Sequence, residues 1–287
     1  GAGDKLDPRV AFGEGFGYAF AAIVLGDPDA RDSGKNNADF YSTAFNVERN
    51  PPADPGSAPD GDYGCWCSES SVFSILWDLY DNAADTNDNL ALGFAPIWQV
   101  LTGAQRSTPA YTTIFSFIAA LKASRPAGEA GAIDTLVSAQ NIDATNIDAF
   151  GVGETHIPTN VAAAAALPLF TTISVGGGPV IVRTVNDAGV HNKLGGRRFL
   201  RFTPSASGSV TITLTSSNTN SPDPDFTLRR SGTYLLIEDD TTPQPETGTV
   251  NVTAGTTYVL DVYDCANGCD NATANGSGDF DLTITIN

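Results

Sequence analysis

The sequence predicts an α+β chain of two domains, a mainly helical part over residues 1–165 followed by an antiparallel β-sandwich over 168–287. Two hydrophobic periods and the break between them support this. In the first part apolar residues recur at helical spacing: Val72, Ile75, Leu76, Leu79 and Tyr80 fall at i, i+3, i+4, i+7 and i+8. In the last part they alternate, as in Phe280, Leu282, Ile284 and Ile286. Gly151-Val152-Gly153, the run from Ala162 to Ala166 and Pro168 separate the two patterns.

The first expected helix runs from Val10 to Ala22 and holds a single carboxylate, Glu14, in an apolar run. Helical spacing puts Glu14 on one face with Tyr18, Ala21, Ala22 and Leu25. A buried, ionised carboxylate is costly unless it is paired, hydrogen-bonded or bound to a metal. Glu14 therefore reads either as a partner of nearby backbone or as a metal ligand. From Gly26 to Gly64 the chain is rich in Asp, Asn, Gly and Pro and reads as a surface loop or set of turns. A helix follows over 69–81, where Ser68 supplies a capping hydroxyl and Glu69 an early negative charge. The oxygen-rich run from Asp81 to Asn89 lacks the order of an EF-hand loop and reads as a polar turn.

Three more helices are expected. Pro96 belongs in the first turn of one, with Ile97, Val100 and Leu101 behind it. Residues 112–124 carry Ile114, Phe117, Ile118 and Leu121, and Pro126 ends that pattern. Residues 129–141 carry Ile133, Leu136 and Val137. Trp77 and Trp98 read as core. Beyond Pro168, short β-type runs hold Ile173, Val175, Val180, Ile181, Val182, Phe199, Leu200 and Phe202. Val210, Ile212 and Leu214 alternate with threonines, and Tyr258, Leu260 and Val262 alternate with Val259, Asp261 and Tyr263.

A net charge of −18 over 287 residues, with only 15 Lys and Arg, excludes a nucleic-acid binder, because phosphate contacts need basic side chains. It also disfavours an anionic membrane surface, and no run of about twenty apolar residues is present. The acidity suits an extracellular protein, with a solvated acidic surface as the default and calcium-binding loops as an addition. Four cysteines form two close pairs, Cys65-Trp66-Cys67 and Cys265-Ala266-Asn267-Gly268-Cys269. Three connectivities are open to them. Local pairing of Cys265 with Cys269 is sterically easy, whereas Cys65 with Cys67 would close a very small ring. A zinc knuckle is the rival reading, weakened by the separation of the two pairs and by the lack of a nearby histidine. Disulfides imply an oxidising compartment. Asn251, Asn271 and Asn275 begin Asn-x-Ser/Thr sequons.

The segment Glu14-Gly15-Phe16-Gly17-Tyr18-Ala19-Phe20, followed by Leu25-Gly26-Asp27-Pro28, resembles the second metal-ligand helix of the gluzincin metallopeptidases. Asp4-Lys5-Leu6-Asp7-Pro8-Arg9 and the stretch from Ser68 to Asp81 extend that resemblance, which runs from about residue 4 to 155. It implies that Glu14 is the third zinc ligand, that Tyr18 or Tyr80 lines the cleft, and that the helical part is a C-terminal peptidase lobe. The His-Glu-x-x-His segment that supplies the other two ligands and the general base in that family does not occur in this chain, whose two histidines are His156 and His191. The β-rich part resembles pre-peptidase C-terminal domains, through Arg198-Phe199-Leu200-Arg201-Phe202, the run from Asp223 to Leu228 and the run from Gly255 to Tyr263. Such domains are non-catalytic. Asp223, Asp225, Asp239 and Asp240 are candidate calcium ligands there, although turn carboxylates explain them equally well.

The expected function is that of the C-terminal part of a secreted zinc metallopeptidase, inactive alone and partnered by an upstream segment or a polypeptide substrate. The alternative is a non-catalytic extracellular structural or adhesive protein derived from such a peptidase, self-associating through an exposed strand edge.

Overall fold

The computed structural model describes residues 5–36, 39–48, 64–81, 90–159, 161–185, 193–239, 244–269 and 278–287. The chain is α+β and divides into two compact units. Unit 1 comprises Gly1–Gln105, Thr112–Ala149 and Gly153–His156; unit 2 comprises Arg106–Tyr111, Phe150–Val152 and Ile157–Asn287. His191, Asp240, Asn271, Asn275 and the run 82–89 lie outside the described residues.

Unit 1 is built on two helices, α1 (Pro8–Leu25) and, after the strands β1 (Asp29–Asn36) and β2 (Asp39–Asn46), α2 (Glu69–Tyr80). Asp7 caps α1 by accepting from the Arg9 amide at 2.9 Å, and Pro8 occupies the first turn, where its missing N–H costs nothing. Gly26 ends the helix at φ +64°, a left-handed conformation that glycine adopts without a Cβ penalty. Ser68 Oγ caps α2 by accepting from the amides of Ser70 and Ser71. Every residue of α2 from Ser70 to Leu79 is buried, so the amphipathic stripe is only part of its covered surface. The two helices touch at Gly15, where an added Cβ would lie 2.6 Å from the Glu69 carbonyl oxygen and 2.6 Å from Val72 Cβ.

The next helices in chain order are α3 (Phe94–Thr102), α4 (Ala104–Ser107), whose last two residues belong to unit 2, α5 (Ile114–Ser124), a 3-10 turn (Ala127–Glu129) and α6 (Ala130–Ala139). Thr113 and Ser116 form a reciprocal capping box at the start of α5. Phe117 of α5 meets Phe12 of α1 at 5.5 Å between ring centroids, and Phe115 meets Trp66 at 5.9 Å. Cys65 and Cys67 are joined in a disulfide and are buried, as is Trp66 between them.

One expectation is corrected. The segment read as loop and turns contains an antiparallel hairpin, with Asp29 opposite Asn46 and Asn36 opposite Asp39. Its strands lack apolar alternation because they pack little core: Arg31, Ser33, Ser42 and Ala44 are exposed. The ladder and polar ties hold it, including Asn46 Nδ2 donating to Asp29 Oδ1 at 2.7 Å, while Ala30 and Val47 anchor its base.

In its long C-terminal stretch unit 2 carries the short helix α7 (Ala163–Ala166) and two facing sheets. Its strands are β3 (Phe170–Thr172), β4 (Val180–Thr184), β5 (Arg198–Phe202), β6 (Gly208–Ser216), β7 (Pro224–Arg230), β8 (Thr233–Glu238), β9 (Glu246–Val252), β10 (Tyr258–Asp264) and, after α8 (Cys265–Gly268), β11 (Phe280–Ile286). One sheet has the order β3-β5-β10-β7-β8 and the other β4-β11-β6-β9. All neighbours pair antiparallel except β3 with β5, which is parallel. Leu200, Phe202, Phe226, Leu228, Leu260 and Val262 of the first sheet face Ile212, Leu214, Leu282 and Ile284 of the second.

β10 is buried at all seven positions. Its other face, carrying Val259, Asp261 and Tyr263, belongs to an outer surface that is also covered. There Phe170 and Phe199 pack with Tyr111 and Phe150, both part of unit 2, at 5.0–6.0 Å between centroids. Arg201 lies over the Phe150 ring and Arg229 over Tyr111. Arg198, at the start of β5, donates to the carbonyls of Ala165 and Pro168, and burial pushes its guanidinium down to about 10.

The glycines of α1 make a direct test of the α1–α2 contact. Gly15→Ala should destabilise unit 1 by about 2 kcal/mol through overpacking. Gly13→Ala and Gly17→Ala, where a Cβ meets nothing within 4 Å, should stabilise it by about 0.5–1 kcal/mol. Urea unfolding followed by tryptophan fluorescence reads unit 1 alone, because all three tryptophans lie in it.

Candidate functional site

A group of buried polar side chains in unit 2 lies where β10 runs into α8. Asp261 and Tyr263 alternate on the outer face of β10, and β-register places Asp225 of β7 directly opposite Tyr263. Arg197, just ahead of β5, closes the group. Its guanidinium donates to Asp261 Oδ2 at 3.1 Å, lies 3.6 Å from the Tyr263 ring centroid and donates to the Gly268 carbonyl at 3.0 Å. Asp261 and Tyr263 are nearly buried, so this pairing neutralises a carboxylate that water does not reach. Tyr263 is pushed up to about 12, first by burial, with Asp225 and Asp261 adding to the rise and Arg197 opposing it.

α8 is held against this surface by its own polar ties. Asp264 caps it through the Ala266 amide at 3.0 Å, and Asn267 Nδ2 donates to the Gly278 carbonyl at 3.0 Å. Gly268 must be glycine, since a Cβ there would stand 2.7–2.9 Å from atoms of Tyr263. Cys265 and Cys269 flank the turn and are joined in a disulfide. Beside it sits Asp225, 3 % exposed, with Oδ2 3.8 Å from Cys269 Sγ. Burial pushes the Asp225 carboxyl up to about 7, the charges of Asp223, Glu246 and Asp239 add to that, and Arg197 opposes it.

Of the residues singled out in the sequence, Glu14 is exposed on α1, which corrects the expectation of a carboxylate in an apolar environment. The buried face of α1 is Ala11, Phe12, Gly15, Ala19, Ala22 and Ile23, and Glu14 projects away from it. Glu14 contributes, with Glu69 and Asp32, to the negative field on Tyr18, whose hydroxyl donates to Asp32 Oδ2 at 3.5 Å. Burial first, then those three carboxylates, push Tyr18 up to about 12. His156 is not beside Glu14 in any three-residue ligand group. Its amide donates to Glu154 Oε1 at 2.7 Å and its carbonyl accepts from Trp66 Nε1 at 3.2 Å. Among the described residues the group that brings three ligand atoms within 4.8 Å of one another is Asp225, Cys265 and Cys269. A zinc ion needs three or four protein ligands and calcium six to eight oxygens. Glu14 by itself does not fit the first requirement. The charges of Asp223 and Asp239 act on the Asp225 carboxyl, but among the described residues these three do not assemble the second.

No family model matches the chain, and no curated relative matches it. Solved structures similar to it do exist. The pre-peptidase C-terminal domain of collagenase from Bacillus anthracis is 13% identical, covering 41% of this chain and 94% of its own length at a TM-score of 0.29. PliG from Salmonella Typhimurium, a periplasmic inhibitor of g-type lysozyme, is 14% identical over 42% of this chain and 100% of its own, at 0.28. CBM35 of Abf62 from Cellvibrio japonicus is 15% identical over 38% and 96%, at 0.22. Among the described residues no helix is long and apolar enough to cross a membrane.

The Asp225 carboxyl sets a pH dependence with a definite sign. Its folded value of about 7 lies above the ordinary 3.8, so folding favours the protonated form. Above pH 4 the unfolded chain sheds this proton first, so stability falls as pH rises toward 7 and is level beyond it. Asp225→Asn should match wild type near pH 4 and exceed it at pH 8 by on the order of 3 kcal/mol. Urea unfolding of unit 2, followed by circular dichroism across pH 4–8, checks this, and a pH-independent difference would contradict it.

Proposed function

We propose that the chain is the distal part of an extracellular metallopeptidase-like protein and is non-catalytic by itself. In this reading unit 1 presents one carboxylate, Glu14, to a metal whose other ligands come from a separate segment, and unit 2 is an accessory β-sandwich. The observation that carries it is the outward placement of Glu14 on α1, beside Tyr18 and the charges of Glu69 and Asp32, in a chain without a His-Glu-x-x-His segment. The two disulfides support an oxidising, extracellular setting. No step of peptide hydrolysis follows from this chain's residues alone.

The test uses oxidised protein. The 287-residue chain should hold no stoichiometric zinc and leave casein intact. A longer product of the same coding region that carries a His-Glu-x-x-His segment should bind one zinc per chain and lose it on Glu14→Ala. Full zinc retention in that variant would overturn the assignment of Glu14.

A second reading, a self-associating structural or adhesive protein, rests on the sheet edges. Edge strand β4 exposes Ile181, and edge strand β8 exposes Tyr234 and Ile237. Concentration-dependent dimerisation that Ile181→Lys or Ile237→Lys abolishes would favour it; a strict monomer would exclude it.

A further inference from the structure

We propose that Cys265, Cys269 and Asp225 form a redox-gated site for a zinc-class divalent metal, closed while the disulfide is intact and open when it is reduced. The sequence supplies two of the ligands at a spacing metal sites use: Cys265-Ala266-Asn267-Gly268-Cys269 falls within the two to four intervening residues typical of paired zinc cysteines. The fold supplies the third. β7 brings Asp225 across from Tyr263, so that its carboxylate meets the end of α8. The ligand atoms of all three residues lie within 4.8 Å of one another, and Asp225 Oδ2 is 3.8 Å from Cys269 Sγ. In a tetrahedral site with bonds of about 2.3 Å to sulfur and about 2.0 Å to oxygen, neighbouring ligand atoms stand roughly 3.5–3.8 Å apart. The carboxylate stands near that spacing from Cys269 Sγ, and opening the disulfide lets the two sulfurs separate toward it.

A second observation points to a cation at this place. Asp225 is 97 % buried, its exposure being 3 %, yet among the described residues Oδ1 has no hydrogen-bond partner. A buried carboxylate oxygen without a partner is costly, and a metal ion would satisfy it. Two thiolates and a carboxylate leave a tetrahedral metal one open position and a net charge of −1, which the Arg197 guanidinium, already stacked on Tyr263, partly offsets. Thiolate ligands select zinc over calcium or magnesium.

The chemistry balances as follows. A dithiol transfers two electrons and two protons to the Cys265–Cys269 disulfide, breaking the Sγ–Sγ bond and itself becoming a disulfide. Each cysteine thiol then releases its proton as it binds the metal, and the Asp225 carboxyl gives up the proton it holds below neutral pH.

The test uses the full chain, reduced with a dithiol and desalted under argon, with cobalt(II) as an optical probe for zinc. The expected result is one cobalt per chain with a sulfur-to-cobalt charge-transfer band and tetrahedral d–d bands, displaced by one zinc. The oxidised chain should show none of these. Alkylation of the thiols in the folded, reduced protein should abolish binding, as should the double variant Cys265→Ser with Cys269→Ser, which leaves Cys65 and Cys67 in place. Asp225→Asn should weaken binding at least tenfold with the charge-transfer band retained. Absence of binding after reduction, binding that survives loss of both thiols, or wild-type affinity in Asp225→Asn would each overturn the proposal. Both cysteine treatments leave Glu14 untouched, so this site and the one tested through Glu14→Ala fail or succeed separately.

Discussion

Burial of β10 on both faces is the constraint on which unit 2 depends. A strand at the middle of a sandwich ordinarily covers one face and alternates inward and outward side chains. Here Tyr258, Leu260 and Val262 enter the core, and Val259, Asp261 and Tyr263 are buried as well. Two consequences follow. An aromatic layer of Tyr111, Phe150, Phe170 and Phe199 is needed on the outer surface, and chain segments far apart in sequence supply it. The polar residues that remain on that surface must be paired locally, as Arg197 does for Asp261.

Where pairing runs short, the chemistry of the unit concentrates. At the end of β10 the backbone turns into α8, and the half-buried disulfide meets the buried Asp225 carboxylate. Burial raises the Asp225 and Tyr263 pKa values, and among the described residues one oxygen of Asp225 has no hydrogen-bond partner. Unit 1 follows a different logic. Its close helix contact at Gly15, against the Glu69 carbonyl and Val72, is tight, and its carboxylates Glu14, Glu69 and Asp32 act together on Tyr18.

Much of the fold is legible in the residues because local period and burial agree. α2 and α5 show helical stripes, and β6, β10 and β11 alternate or run apolar as their burial requires. The hairpin of β1 and β2 was hidden because its strands are polar and exposed, so no hydrophobic signal marks them. β8 is hidden for a related reason: as an edge strand it leaves Tyr234 and Ile237 in solvent. The exposure of Glu14 could not be read from composition, because α1 is apolar nearly all round and only its partner α2 decides which side is covered. Asp225 stood out in the sequence only as one of several turn acids. Its place beside Cys269 depends on the β7–β10 register, a pairing between residues some forty positions apart, and Arg197 carried no local signal at all.

Hydrogen exchange, measured by mass spectrometry on oxidised and dithiol-reduced protein, tests most directly whether double-sided burial of β10 organises unit 2. The amides of Tyr258–Asp264 should be the slowest of that unit in both states, and within that unit the gain in exchange on reduction should be confined to Cys265–Cys269. Loss of β10 protection together with α8 on reduction would contradict this, showing that the covalent tie, and not burial, holds the centre of the sheet.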